Sequence, residues 1–116
     1  MNIAHVDEIY ADAFGSWISG LFSAIGGRNP GLSFDEHKGA FFDLLRRWLD
    51  EDKIRFCAPD DPLDGVWDAP ADDIIQFLQD RWPAGATHEN DPALNLYFYE
   101  MPALLWVDRS GKLYGS

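Results

Sequence analysis

The side chains in this 116-residue chain that could serve as ligands, bases or nucleophiles are three histidines, one cysteine and a surplus of carboxylates. His5, His37 and His88 stand far apart, and no two have a spacing that presents both to one metal ion. The run His88-Glu89-Asn90-Asp91 offers carboxylates to a hard cation. It has no second histidine and no flanking element to fix the geometry, so it reads as a solvated loop. Asp60-Asp61-Pro62-Leu63-Asp64-Gly65 is similar to the opening of a calcium loop, with Asp60, Asp64 and Gly65 at the first, fifth and sixth positions. Pro62 occupies a ligand position, however, and Ala71 stands where a bidentate glutamate belongs. Cys57 has acidic surroundings, which raise a thiol pKa when a nucleophile needs it lowered, and a buried structural cysteine is expected. Gly26-Gly27-Arg28-Asn29-Pro30-Gly31 lacks the Lys-Ser/Thr and the preceding strand of a phosphate-cradling loop. These residues predict no enzyme, no metal and no cofactor.

What remains is electrostatic. Residues 50–80 collect Asp50, Glu51, Asp52, Asp60, Asp61, Asp64, Asp68, Asp72, Asp73 and Asp80, opposed only by Lys53 and Arg55. Most of the chain's net charge of −11 therefore lies in one stretch. Ile54, Phe56, Trp67, Ile74, Phe77 and Leu78 are threaded between the acids, so the stretch is expected to fold and to display a fixed negative surface. The candidate contacts for a positively charged partner are Asp60, Asp61, Asp64 and Asp68, with Asp72 and Asp73 beside them. Nine bases against twenty acids cannot build a basic footprint, which argues against nucleic acid and anionic membranes as partners. Arg46-Arg47, the one local basic pair, has Asp43, Asp50 and Glu51 within a helical turn.

The elements that would hold these residues follow from periodicity. Hydrophobic residues at 47%, with five Trp and eight Phe, support a packed core, and 116 residues suit one domain. A single cysteine permits no internal disulfide and fits a reducing cytoplasm. The N-terminus is not patterned as a signal peptide, and the most apolar window, 13–26, is shorter than the roughly 20 residues needed to span a bilayer. From Val6 to Ile25 apolar residues recur about every four positions, a first helix whose stripe drifts around its axis. It either breaks near Gly15 or is contacted on several sides. Its small residues between Gly15 and Ala24 favour the second, and open a route to a homodimer. The glycine run after it is a break. Ser33-Phe34-Asp35-Glu36 is a capping box opening a helix to about residue 50. Lys53-Ile54-Arg55-Phe56 alternates as a short strand, and 59–68 is a loop from which Trp67 plugs the core. Asp68 caps a third helix, with Pro70 in its first turn, a buried stripe of Ile74, Phe77, Leu78 and Trp82, and Pro83 at its end. After a loop at 84–92, Leu94, Leu96 and Phe98 alternate with Asn95, Tyr97 and Tyr99, predicting a strand whose exposed aromatic face, Tyr97 and Tyr99, could serve a partner. A covered strand at 103–107, a turn at Asp108-Arg109-Ser110-Gly111 and an edge strand at 112–114 complete a C-terminal β-meander. The expected fold is α+β, three helices on a small, mainly antiparallel sheet.

Two stretches carry a resemblance. Trp67-Asp68-Ala69-Pro70 running to Arg81-Trp82-Pro83, and His88-Glu89-Asn90-Asp91-Pro92 running into Leu94-Asn95-Leu96-Tyr97-Phe98-Tyr99, resemble an uncharacterised family of small acidic bacterial proteins related to immunity proteins of contact-dependent growth inhibition and other polymorphic toxin systems. The matching words are caps, turns and core tryptophans, without catalytic content. The resemblance implies a bacterial cytoplasmic protein that sequesters a cognate toxin. The expectation is a protein-binding module, monomeric or dimeric through the first helix. The alternatives are a homodimeric acidic chaperone for a secreted effector and a structural or interaction domain.

Overall fold

The structure, a computed structural model, describes residues 5–115 apart from the side chains of residues 62–64. Its elements in chain order are α1 (Val6–Ala13), α2 (Ile18–Arg28), α3 (Phe34–Asp50), β1 (Ile54–Ala58), β2 (Asp61–Val66), α4 (Ala71–Asp80), α5 (Pro92–Glu100), β3 (Leu104–Val107) and β4 (Leu113–Gly115). The four strands form one antiparallel sheet in the order β2-β1-β3-β4. Ile54 and Phe56 of β1 pair with Trp106 and Leu104 of β3, and all four side chains point into the core. The fold is α+β as expected, with five helices among the described residues where three were anticipated.

The first helix breaks at Gly15, which takes a left-handed φ of 82°. A straight helix would carry its drifting apolar stripe out of the core; the corner turns the second half back onto it. Arg28 of α2 clamps Asp12 of α1 with two hydrogen bonds, 2.7 and 3.1 Å, and the Trp106 indole N–H donates to the Ser16 carbonyl at the corner. The break expected over residues 26–31 comes late in that run: Gly26 and Gly27 lie inside α2, which ends at Arg28, and the chain turns at 29–31. A Cβ on Gly26 would stand 2.9 Å from Cε1 of His37, so this glycine serves close helix packing.

α3 opens with the capping box: the Glu36 amide donates to Ser33 Oγ and the Ser33 amide to Glu36 Oε1. It ends when Asp52 enters the left-handed region at φ 56° while the amides of Asp52 and Lys53 reach back to the carbonyls of Leu49 and Trp48. That closure sends the chain directly into β1. The loop expected at 59–68 is largely the strand β2, irregularly paired with β1: Ala58 lies opposite Asp61, and its neighbour Cys57 opposite Val66. α4 starts after Pro70 with no side-chain cap, so the capping role expected of Asp68 is not taken.

The largest departure is at 92–100. The alternation of Leu94, Leu96 and Phe98 predicted a strand; the segment is α5. Leu94, Tyr97 and Phe98, spaced three and four apart, are its buried side. The Asp91 carboxylate accepts from the Ala93 amide and Pro92 occupies the first turn, so the cap and proline favour a helix here. The C-terminal meander is thereby reduced to the β3–β4 hairpin.

Candidate acidic interface

The sequence-predicted acids are exposed wherever they are described, but their surroundings differ. Arg46 of α3 bridges Asp50 of its own helix and Asp72 of α4. Arg47 and Lys53 both approach Glu51, and Arg55 holds Asp52 at 2.8 Å. Asp72 is therefore neutralised within the molecule and ties α3 to α4. By contrast Asp60, Asp61, Asp68 and Asp73 have no cationic partner among the described residues. The side chain of Asp64 lies outside the described residues.

Pairing of β2 gathers three of these four. Because consecutive residues of β1 lie opposite Asp61 and Val66, the two ends of β2 stand side by side. Asp60 and Asp61 at its start are thus brought toward Trp67 and Asp68 at its end. Asp61 folds back over the strand, so that a Cβ on Gly65 would meet its Oδ2 at 2.7 Å. Asp73 is in the first turn of α4, where the unpaired amides and the helix dipole favour an anionic side chain.

The two tyrosines separate. Tyr97 is 5% exposed and its hydroxyl donates to the Leu78 carbonyl at 2.6 Å, tying α5 to α4. Burial pushes its pKa up, and a group so placed offers nothing to a partner. Tyr99 is 75% exposed on the outer side of α5, with Leu96 one turn earlier at 57%. The paired aromatic face predicted for a strand does not exist, because a helix turns Tyr97 and Tyr99 to different sides.

The other reactive side chains are engaged structurally. His37 stacks on Phe22 with centroids 3.7 Å apart, and its Nε2–H donates to the Phe22 carbonyl. Cys57 is buried in β1 and is in no disulfide. Among the described residues no three His, Cys, Asp or Glu side chains are grouped so as to hold a metal ion.

Sequence reasoning missed the outer face of the sheet. The run 103–107 was expected to be covered, yet only Leu104 and Trp106 are buried; Leu105 and Val107 are half-exposed on the other face. With Asp52, Arg55, Val66, Trp67, Asp68, Gly111 and Leu113, Val107 lines a groove of about 570 Å³. The alternation of Lys53-Ile54-Arg55-Phe56 does point Arg55 to this face, but the pairing that assembles the groove is non-local.

Comparison with known proteins bears on the fold. No family model and no curated protein matches the chain. Among solved structures it is similar to an uncharacterized protein conserved in bacteria, from Neisseria meningitidis, with a TM-score of 0.72 and 22% identity over 94% of this chain and 84% of that one. Among the described residues no helix is long and apolar enough to cross a membrane.

Proposed function

We propose that this protein is a non-enzymatic binding module that captures a basic protein through its acidic surface, in the manner of an immunity protein neutralising a bacterial toxin in the cytoplasm. The observation that carries the reading is the split among the acids. Arg46, Arg47, Lys53 and Arg55 are engaged by Asp50, Glu51, Asp52 and Asp72, whereas Asp60, Asp61, Asp68 and Asp73 have no cationic partner among the described residues. A field of this kind accelerates encounter with a basic partner and sets its orientation. The resemblance of the second half of the chain to immunity-type proteins supplies the toxin as the partner class. The dimeric-chaperone alternative drew on the small residues of the first helix. One of them, Gly20, is crowded by Ser16 of the same stretch, and the helix they were to line breaks at Gly15, which weakens that support.

The test is association with a basic toxin domain encoded beside this chain, measured by stopped flow at low and high ionic strength. Steering acts over about 10 Å at 0.1 M salt, so the on-rate is expected to fall steeply with salt while dissociation changes less. Replacing Asp60, Asp61, Asp68 and Asp73 with Asn should remove most of that salt dependence. An on-rate indifferent both to salt and to the four substitutions would sink the proposal.

A further inference from the structure

We infer that the groove on the outer face of the sheet receives an extended segment of the partner in which apolar and basic side chains alternate. The inference rests on the reading of this protein as a binder of basic proteins and names the place where such a partner is gripped. Ile54, Phe56, Leu104 and Trp106 are buried in the core on the inner face, while Trp67, at the groove, is edged by Phe77 of α4 at 5.1 Å. On the outer face the floor carries apolar side chains: Val66 and Leu113 are 47% and 41% exposed, and Trp67 and Val107 are half-buried. Three charged residues line the same groove. Arg55 is held by Asp52 at 2.8 Å, so those two cancel, and Asp68 has no cationic partner among the described residues. A concave floor that mixes apolar side chains with polar groups, and carries Asp68 at its rim, selects an apolar side chain next to a cation. Asp60 and Asp61, brought near by the pairing of β2, extend the negative rim for further basic residues. The same charge opposes a second copy of the chain, since each copy would bring −11.

The probe is an acetylated hexapeptide of alternating leucine and lysine, with its leucine–glutamate counterpart as control, titrated into the isotope-labelled full chain and followed by amide chemical shifts. The lysine peptide is expected to shift Val66, Trp67, Val107 and Leu113, and the glutamate peptide to leave them unmoved. Asp68→Asn should weaken binding about threefold, the scale of one exposed ion pair. Leu113→Lys, at a 41% exposed position of the edge strand, should weaken it at least about tenfold through lost apolar contact and added repulsion. The Trp106 indole resonance reports that each variant is folded. Shifts confined to Asp60, Asp61 and Asp73 would overturn the groove while leaving the acidic-surface reading in place. Equal binding of the glutamate peptide, or concentration-dependent shifts of these residues without any peptide, would also overturn it. Absence of any shift at millimolar peptide would count against the groove and the acidic surface together.

Discussion

Gly26 and Gly27 are adjacent in α2, yet substitution by alanine should change stability in opposite directions. In a helix interior alanine is favoured over glycine by about 1 kcal/mol. At Gly27 nothing lies within 4 Å of the added Cβ, so Gly27→Ala should stabilise by about 0.5–1 kcal/mol, the lower part applying near a helix end. At Gly26 the new Cβ would be 2.9 Å from His37 Cε1 and 3.4 Å from Nε2, where carbon atoms normally keep about 3.5–4.0 Å. His37 has little room to retreat, being stacked on Phe22 and hydrogen-bonded to the Phe22 carbonyl at 2.6 Å. Overpacking of this kind costs about 1–3 kcal/mol, and loss of a buried hydrogen bond adds about 1 kcal/mol. After the propensity gain, Gly26→Ala should destabilise by about 1–3 kcal/mol, placing the two variants roughly 1.5–4 kcal/mol apart. Urea unfolding with an unchanged m-value is the assay. Combining Gly26→Ala with His37→Ala should then recover part of the loss, a positive coupling confined to this pair. If Gly26→Ala proves as stable as Gly27→Ala, the glycine is not held by its contact with His37.

Three further perturbations have defined outcomes. Tyr10→Phe removes the hydroxyl that donates to the Val107 carbonyl at 2.7 Å but keeps the ring contacts with Trp48 and Trp106; thermal or urea unfolding should show a loss of about 0.5–1.5 kcal/mol. Asp52→Gly, at a φ of 56°, should be neutral or stabilising by up to about 1 kcal/mol, while Asp52→Ala should destabilise; calorimetry that ranks alanine above glycine would be incompatible with the left-handed closure of α3. Asp108 accepts from the Ser110 hydroxyl and from the Ser110 and Lys112 amides, and its pKa is lowered to about 2, chiefly by the Ser110 side chain. Because the folded pKa is depressed, its contribution is complete above the ordinary value of 3.8 and fades as pH falls through about 2. Amide exchange in the β3–β4 turn should show that loss in the native chain, and in Asp108→Ala should show weak protection with little pH dependence over the same window.

The elements legible in the sequence are those whose causes are local. The capping box of Ser33 and Glu36, the alternation at 53–56, the stripe of Ile74 and Leu78 and the turn at Asp108 each lie within a few residues of their effects. Where a distant contact decided the outcome, local pattern misled. Gly26 looked like punctuation because its partner, His37, comes from another helix. In 94–98 a nine-residue helix and a short strand share nearly the same apolar positions, and only Asp91-Pro92 distinguishes them. The candidate site divides the same way. That the acids would be exposed followed from their composition. Which of them remain uncompensated did not, because Arg46 reaches Asp72 across 26 residues.

That division also determines how the surface should behave. A sequence count treats the acids of 50–80 as one field, whereas four of them spend their charge on neighbouring bases. Exposed pairs of this kind contribute little stability, about 0–1 kcal/mol each. Their larger consequence is geometric: among the described residues they leave Asp60, Asp61 and Asp68 at the ends of β2 and Asp73 at the start of α4 without a cation, with Asp80 at the far end of α4 accepting only from Gln76. Asp68 belongs both to that group and to the groove, so long-range steering and short-range apolar contact meet at one residue. A partner attracted by the field would arrive beside the groove of Val66, Val107 and Leu113. Charge alone yields fast but weak encounter, and an apolar groove alone gives contact without steering. Their adjacency is what makes this end of the molecule a more economical binding surface than the isolated Leu96 and Tyr99 on α5.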